Sequence, residues 1–334
     1  MGATQASAGM LAPFTEAKDR NTTFLDLAVR SLDLYDEFVS RVAETSRMPI
    51  GYQRTGTLDV ASTGERMSSL RDIASRLTAR GVALSVLDPQ EARKQEPHLG
   101  EGVAGALYIG AHGYVRAGEL TRALVGAARC HGARFAERTR VRSISKREHD
   151  LVLDTDRGSL TDGTVVVTAG SWSGQIDVSG TMPRVPVRPV RGQLLHLAWR
   201  GPSLRRVTWG DRCYMVPWDD GTVLVGATME EVGFDERSTV EGIARLMDAA
   251  CELMPATSSA SLSSARVGLR PGTPDALPII GWSGALPNLM YATGHFRNGV
   301  LLSPLTAQLV ARAVVDGDAD PALEAIAPQR FGAL

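Results

Sequence analysis

The chain has 334 residues, 43% of them hydrophobic, and its 36 basic side chains nearly balance its 37 acidic ones. This length suits two lobes around one or two cores, and the near-neutral charge argues against a nucleic-acid partner, which usually meets a basic face. No apolar run approaches the ~18 residues of a membrane span, and the three scattered cysteines suit neither a disulfide framework nor a metal cluster. We therefore expect a soluble cytoplasmic protein.

The N-terminal segment is built from small residues. Met1 to Pro13 reads MGATQASAGMLAP, which is mostly Gly, Ala, Ser and Thr. Short side chains let a flat ligand or another stretch of backbone approach closely. The same composition also suits a loosely ordered terminus, so the residues alone leave both interpretations open.

Hydrophobic periodicity predicts helices and strands that alternate along the chain. Helices are predicted over 22–45, 65–80, 117–131, 239–254 and 303–315, with a short one opened by Asp88-Pro89. Strands are predicted over 52–60, 82–87, 105–115, 133–135, 141–144, 151–154 and 165–170. The run at 165–170, VVVTAG, resembles a buried parallel strand. From Val185 onward, longer alternating runs predict an antiparallel sheet with one solvent-exposed face, the floor of a substrate lobe.

Two arginines stand out in the stretch 268–304. Arg270 follows Gly-Leu and precedes a proline, and Arg297 lies in the run HFRNGV, each near apolar strand-like residues. An arginine at the mouth of a buried strand is costly unless an anion meets it, and its guanidinium matches the two oxygens of a carboxylate. The predicted helix from Ser303 would point backbone N–H groups at the same place. A surface arginine on a tight turn is the plainer alternative.

The motifs GLRPGTPD, PIIG and ATGHFRNGVLLSP, together with the small-residue N-terminus, resemble the glycine oxidase / D-amino acid oxidase family of flavoenzymes, and within it the ThiO-type glycine oxidases. The resemblance covers nearly the whole chain. It implies an α/β fold: a Rossmann-like FAD-binding domain, N-terminally truncated, with an inserted α+β substrate domain built on an antiparallel sheet. The implied FAD-binding domain is discontinuous, at 1–50, 103–180 and 264–334, and the substrate domain comprises 51–102 and 181–263.

The resemblance also implies which residues meet the cofactor. Ala3 and Thr4 would face the ribityl or diphosphate region, Ala8, Gly9 and Met10 the isoalloxazine ring, and the backbone of Val141 the adenine. The residues of the second arginine motif would also contact the flavin: His295, Phe296, Arg297, Asn298, Gly299, Val300 and Leu301. The backbone from Asn298 to Leu302 and the helix start that follows would stabilise the negative charge of the reduced flavin. FAD should be bound non-covalently, because the last cysteine of the chain precedes the signature where relatives attach flavin.

For the substrate, the resemblance implies that Arg297 binds the carboxylate, with Arg270 nearby, and that the Tyr214 hydroxyl also reaches it. Met229 would line the pocket over the flavin. No acid–base side chain would be obligatory, although His295 could also be considered as a base. Without the family, Tyr214 could equally be a strand aromatic and Met229 ordinary core filling. Arg212 stands where close relatives carry histidine, which would change the polarity of the pocket entrance. The histidines lack metal-ligand spacing.

The implied activity is oxidative deamination of glycine or a similarly small amine, with hydride transfer to flavin N5, reoxidation by dioxygen to hydrogen peroxide, and a role in thiamine biosynthesis. One departure from the family matters: the sequence shows no strand–turn–helix unit of about 30 residues that carries the G-x-G-x-x-G fingerprint and a closing acidic residue. We therefore expect a truncated chain, with loss of cofactor binding as the less favoured alternative. Three alternatives stay open: a D-amino acid dehydrogenase, another oxidase of the family, and an inactive fragment or subunit. The sequence leaves the exact amine, the final electron acceptor and homo-oligomer formation undetermined.

Overall fold

The computed structural model describes residues 2–16, 22–180, 184–318 and 320–334. Its α-helices are α1 (Pro13–Glu16), α2 (Thr22–Asp33), α3 (Tyr35–Ser46), α4 (Gly64–Thr78), α5 (Pro89–Gln95), α6 (Ala117–Cys130), α7 (Val240–Leu253) and α8 (Ser303–Ala311). Its strands are β1 (Met10–Leu11), β2 (Tyr52–Gln53), β3 (Thr57–Ala61), β4 (Ser85–Leu87), β5 (Gly105–Ile109), β6 (Gly113–Val115), β7 (Val141–Arg147), β8 (Asp150–Thr155), β9 (Gly158–Asp162), β10 (Val165–Val167), β11 (Asp177–Val178), β12 (Arg188–Ala198), β13 (Val207–Trp209), β14 (Tyr214–Pro217), β15 (Thr222–Gly226), β16 (Ser261–Gly272), β17 (Ile279–Trp282) and β18 (Leu289–Thr293).

Within the described part of the chain, the strands form four sheets. The largest has the order β16-β12-β15-β14-β13-β3-β5-β4 and is antiparallel except where β13 pairs with β3. A smaller sheet, β10-β18-β17, pairs β10 with β18 in parallel, as predicted for the VVVTAG run. The other sheets have the orders β1-β6-β2 and β11-β7-β8-β9. Helices packed on mixed sheets confirm the predicted α/β class.

The prediction of a solvent-exposed face on the large sheet is wrong. Its central strands are buried on both faces, and even the polar side chains of β12 at Arg191, Gln193 and His196 are at most 5% exposed. One face packs Leu195 and other apolar residues against α7. The opposite face packs Leu194 and its neighbours against the N-terminal segment. The polar residues of β12 therefore lie on two buried faces, with Gln193 on the same face as Leu195 and His196 on the same face as Leu194.

The predicted long helix over 22–45 is two helices, α2 and α3, that meet at Leu34. The Arg54 side chain explains the interruption, because its Nη2 donates to the Leu32 carbonyl at 2.9 Å. A side chain that inserts into the hydrogen-bond ladder of a helix breaks or kinks it. This contact joins residues far apart in the chain, so periodicity alone could not reveal it.

Two predicted strands are each divided between sheets. The segment predicted over 52–60 becomes β2 and β3, and the segment predicted over 105–115 becomes β5 and β6. In both cases one piece joins the β1-β6-β2 sheet and the other joins the large sheet. Gly56, at φ +75°, allows the chain to turn between β2 and β3. The strand predicted over 133–135 is absent, and these residues are exposed and irregular.

The N-terminal segment lies between the large sheet and the helices. β1 pairs with β6, and Gly2 bridges to Leu269 of β16. At Gly9 a Cβ would lie 1.7 Å from the Val115 carbonyl oxygen, so only glycine fits where this segment passes β6. The chain therefore buries Ala8 and Gly9, whereas Gly2 and Thr4 are exposed. Among the described residues, no helix combines the length and hydrophobicity needed to cross a membrane.

Candidate functional site

A cavity of about 860 Å³ lies where the N-terminal segment, the large sheet and the β10-β18-β17 sheet meet. This volume is within the range typical of cofactor and small-molecule sites. Most of the site residues predicted from the sequence line it: Ala3, Thr4, Ala8, Gly9, Met10, Tyr214, Met229, Arg270, His295, Phe296, Arg297, Asn298, Gly299 and Val300. Residues from distant parts of the chain therefore share one enclosure.

The carboxyl ends of two parallel strands open into this cavity. β10 and β18 run side by side, and the residues that follow each strand, 168–170 after β10 and 295–300 after β18, line the cavity wall. Ligands of α/β proteins bind at this edge of a sheet. Gly170, at φ +54°, has open space where a Cβ would lie. The start of α8 also borders the cavity, through Ser303.

A backbone hydrogen bond brings the two arginine-bearing segments together. The Phe296 N–H donates to the Pro271 carbonyl oxygen at 2.9 Å. Arg297 and Arg270 are the immediate chain neighbours of these two residues. Phe296 has φ +49°, a conformation that is uncommon for a bulky residue and is concentrated at functional sites. This bond thus brings the two arginine-bearing segments together, and both arginines line the cavity.

The register of the large sheet aligns one row of its residues. Four residues are register partners on neighbouring strands. Leu194 of β12 pairs with Gly226 of β15, Gly226 pairs with Tyr214 of β14, and Tyr214 pairs with Trp209 of β13. Residues opposite each other in a sheet point to the same face. Leu194, Tyr214 and Trp209 pack with Ala8 of the N-terminal segment, so this row faces the segment that borders the cavity.

Glycines on two strands make room for the predicted substrate-binding side chains. A Cβ at Gly192 would lie 2.3 Å from both terminal nitrogens of Arg270, and a Cβ at Gly226 would lie 2.2 Å from the hydroxyl of Tyr214. Real Cβ atoms essentially never approach other atoms so closely. Arg270 is held from one side by its Nη1, which donates to the Thr228 carbonyl at 3.0 Å. The Tyr214 ring packs on Trp209, with ring centroids 5.3 Å apart.

Three other lining residues are exposed to solvent. Arg297 is exposed, so the cost of burying a charge, which motivated its choice in the sequence, does not apply to it. Met229 is 64% exposed, which excludes the alternative that it fills the core. Arg212 also borders the cavity, and its Nη1 pairs with Glu252 at 2.8 Å.

His295 is kept neutral by its surroundings. Burial lowers the pKa of its imidazole to about 4, because desolvation disfavours the charged form. Its Nε2 lies 3.0 Å from the Thr306 hydroxyl of α8. This side chain therefore links the turn after β18 to the helix that follows, as a packing residue would.

Two predicted residues lie away from the cavity lining. Val141 begins β7 and packs with the core around Ile144. Leu301 is 1% exposed and belongs to the helical core, and its carbonyl oxygen accepts a hydrogen bond from the Ser31 hydroxyl at 2.7 Å. Their cofactor roles concern the backbone and stay predictions.

Sequence reasoning missed several lining residues: Gly170, Trp172, Gly192, Trp209 and Gly226. A signal for two of them was present. A glycine inside a strand often marks close approach by a ligand or another group, and Gly192 and Gly226 both lie in strands. The tryptophans gave no such signal, because an aromatic residue suits any half-buried strand or turn.

The cavity is suited to a flat ring with an anionic edge. Ala3, Ala8 and Gly9 present little side chain along one border, while the backbone at 297–300 and the start of α8 form another. Helix starts favour negative charge. Among the residues that the structure describes, no three His, Cys, Asp or Glu side chains could together hold a metal ion. The small residues and the helix start fit an organic ring such as the isoalloxazine of FAD.

Comparison with known proteins gives consistent matches. The family described as "FAD dependent oxidoreductase" matches residues 1–313. A "Bifunctional protein ThiO/ThiG" of Synechocystis sp. is 34% identical over 335 residues, covering 98% of this chain and 48% of that protein. A "Glycine oxidase" of Geobacillus kaustophilus is 33% identical over 312 residues, covering 93% of this chain and 82% of that protein. The crystal structure of glycine oxidase from Geobacillus kaustophilus superposes with a TM-score of 0.92 at 31% identity, covering 100% of this chain and 89% of that one. The chain spans about half the length of the bifunctional relative.

Proposed function

Because this chain belongs to the family of FAD dependent oxidoreductases, we propose that it oxidises glycine or a similarly small amine with non-covalently bound FAD. The Phe296–Pro271 hydrogen bond carries the proposal, because it joins the segments of Arg297 and Arg270 beside a cavity that Gly9 also lines. Similarity to a glycine oxidase over most of both chains supports it. A role in thiamine biosynthesis and a cytoplasmic location are part of the same proposal.

We propose that Arg297, Arg270 and Tyr214 hold the substrate carboxylate. A guanidinium group supplies paired N–H donors that match a carboxylate, and each such charged hydrogen bond contributes about 1.5–3 kcal/mol. Both arginines line the cavity. Their positive charge also raises the cost of a second cation, so the substrate amine is favoured in its neutral form. Met229 borders the same space and limits the size of the substrate.

The N-terminal segment and the turn after β18 are proposed to hold the flavin: Ala3, Thr4, Ala8, Gly9, Met10 and residues 295–301. When bound, FAD supplies the redox chemistry, by taking hydride from the substrate C–H bond and passing electrons to dioxygen. The protein orients the amine, excludes water and stabilises negative charge at the α8 start. The FAD-binding domain is proposed to comprise 1–50, 103–180 and 264–334, and the substrate domain 51–102 and 181–263. Two strands of the large sheet do not follow these proposed boundaries: β5 lies within the range proposed for the FAD-binding domain, and β16 crosses the boundary at 263/264.

A substrate panel tests the proposal. The purified protein, supplied with FAD, is offered glycine, sarcosine, D-alanine and methylamine while hydrogen peroxide and oxygen consumption are recorded. We expect turnover of the small amino acids and little turnover of methylamine, which has no carboxylate for the arginines. Peroxide production that is equal with methylamine and glycine would contradict the carboxylate clamp. Bleaching of the flavin absorbance by D-alanine in preference to glycine, without oxygen consumption or peroxide, would instead indicate a D-amino acid dehydrogenase.

A further inference from the structure

A polar network lies next to the Arg270 guanidinium, and the proposed function gives it no role. Arg270 Nη1 donates to the Thr228 carbonyl at 3.0 Å and to the Arg191 carbonyl at 3.4 Å. Gly192 lies against the same guanidinium. The orientation of Arg270 therefore depends on where β12 and the segment after β15 hold these two carbonyl groups.

The Glu230 carboxylate ties that segment to β12. One of its oxygens accepts hydrogen bonds from the Thr228 hydroxyl at 2.5 Å and from Gln193 Nε2 at 2.8 Å. The other accepts from Nε of Arg191 at 3.1 Å and from its Nη2. The backbone adds reciprocal bonds, Arg191 N–H to Glu230 O at 2.8 Å and Glu230 N–H to Arg191 O at 3.0 Å. Glu230 thus bonds the side chains of Thr228 and Arg191, the two residues whose carbonyl groups contact Arg270, while Asp235 also pairs with Arg191 Nη1 at 3.0 Å.

Because the donors are buried, their hydrogen bonds to Glu230 require its carboxylate to be ionised. Arg191 is 4% exposed and Gln193 is fully buried, so their donors need acceptors within the protein. Partial burial raises the pKa of the Glu230 carboxyl, but hydrogen bonds from Thr228, Arg191 and Gln193 outweigh it, and the pKa is lowered overall. The carboxylate is therefore ionised at neutral pH, and only an ionised group can accept from all of these donors.

The same network also supports the fold. Gln193 Nε2 donates to the Thr239 hydroxyl at 2.9 Å, and the Thr239 N–H donates to Gln193 Oε1 at 2.8 Å. Thr239 is the N-cap of α7. A test of any role in substrate binding must therefore separate a change in affinity from a change in stability.

We propose that Glu230 is a positioning residue for the substrate carboxylate: it sets the Thr228 and Arg191 carbonyl groups and through them the direction of the Arg270 guanidinium. This inference rests on the proposed function of Arg270. Since a carboxylate clamp binds the ground state and the transition state alike, its misalignment raises KM and leaves kcat nearly unchanged.

The test compares Glu230→Gln with Glu231→Gln. In Glu230→Gln only the amide oxygen can accept hydrogen bonds. The amide NH2 replaces the other carboxylate oxygen and therefore faces N–H or O–H donors that it cannot pair with. Glu231 is the matched control, because its carboxylate is exposed and pairs with Arg188 at 3.1 Å on the surface. Each variant is assayed for KM and kcat with glycine, for the Kd of acetate by calorimetry, and for its urea unfolding midpoint.

We expect Glu230→Gln to raise the glycine KM and the acetate Kd by about tenfold, the loss expected when one charged hydrogen bond is misaligned. Glu231→Gln should leave both within about twofold of the wild-type protein. A Glu230→Gln protein whose unfolding midpoint falls while KM and acetate Kd stay at the control level would overturn the proposal, because Glu230 would then serve stability alone.

A second variant covers the case in which Glu230→Gln does not fold. Thr228→Val removes the hydroxyl that donates to Glu230 and keeps the charge pair, so we expect a smaller rise in the acetate Kd, about threefold. An unchanged acetate Kd in a folded Thr228→Val protein would count against the proposal. The acetate Kd could rise in the Glu230 and Thr228 variants as expected while the wild-type protein does not oxidise glycine. In that case the proposed function fails and the positioning role stands.

Discussion

Replacing Gly192 with alanine would test whether the shape of β12 positions Arg270. The added Cβ would lie 2.3 Å from both terminal nitrogens of Arg270 and 2.4 Å from its Cζ. The guanidinium is the far end of a flexible side chain, so it can move while the backbone stays in place. A movement large enough to relieve this contact breaks the 3.0 Å hydrogen bond to the Thr228 carbonyl.

The magnitude follows from that loss. A hydrogen bond to a charged group contributes about 1.5–3 kcal/mol, and each 1.36 kcal/mol corresponds to a factor of ten. We therefore expect kcat/KM for glycine to fall by about 10- to 150-fold, mainly through KM. Stability should change little, because alanine at a compatible backbone position gains about 0.4–1 kcal/mol relative to glycine through the unfolded state, which offsets part of the rearrangement.

The assay measures peroxide production with glycine for Gly192→Ala and for Gly163→Ala. Gly163 is a suitable control, because a Cβ there meets no heavy atom within 4 Å. Urea unfolding of both variants shows whether each is folded. A folded Gly192→Ala protein whose KM stays within about twofold of the control would refute the reasoning, since Arg270 would then not need its present position.

Three further predictions concern the cavity and its surroundings. Tyr214→Phe removes one neutral hydroxyl, worth about 1 kcal/mol, and should raise the glycine KM about fivefold in the same assay. Arg212→His breaks an exposed ion pair with Glu252, so urea unfolding should show a change of no more than about 1 kcal/mol; a larger loss would mean that Arg212 has another structural partner. Burial lowers the pKa of His112 to about 3 and that of His196 to about 4. The unfolded chain therefore binds more protons below pH 6.5, and stability should fall as pH drops from about 6.5 toward these values. The loss is about 2 kcal/mol per histidine at pH 5, and equal urea midpoints at pH 7.5 and pH 5 would contradict it.

Local patterns predicted much of the fold, and long-range contacts account for the errors. The N-cap at Asp88 and the parallel strand within 165–170 follow from neighbouring residues, and the structure confirms both. The break between α2 and α3 comes from Arg54, which lies outside the predicted helix. The polar residues of β12 suggested a wet face, whereas Gln193 is buried because Glu230 and Thr239 satisfy its amide.

The residues of the candidate site also differ in whether a local motif or a long-range contact identifies them. Arg270 and Arg297 could be selected from the sequence because their neighbours form a specific motif, and the structure places both at one cavity. The glycine that accommodates Arg270 lies on a different strand, where only the register of β12 and β16 brings it into contact. Sequence spacing cannot give that register, and the role of Glu230 depends on it as well.

The central claim is that the Arg297 and Arg270 guanidinium groups bind the carboxylate of a small amino acid beside the flavin. The most direct measurement is kcat/KM for glycine in Arg297→Ala relative to the wild-type protein, with FAD supplied to both. Loss of a bidentate pair, two charged hydrogen bonds of about 1.5–3 kcal/mol each, predicts a fall of about 100-fold or more. A value within about twofold of the wild-type protein would contradict the claim.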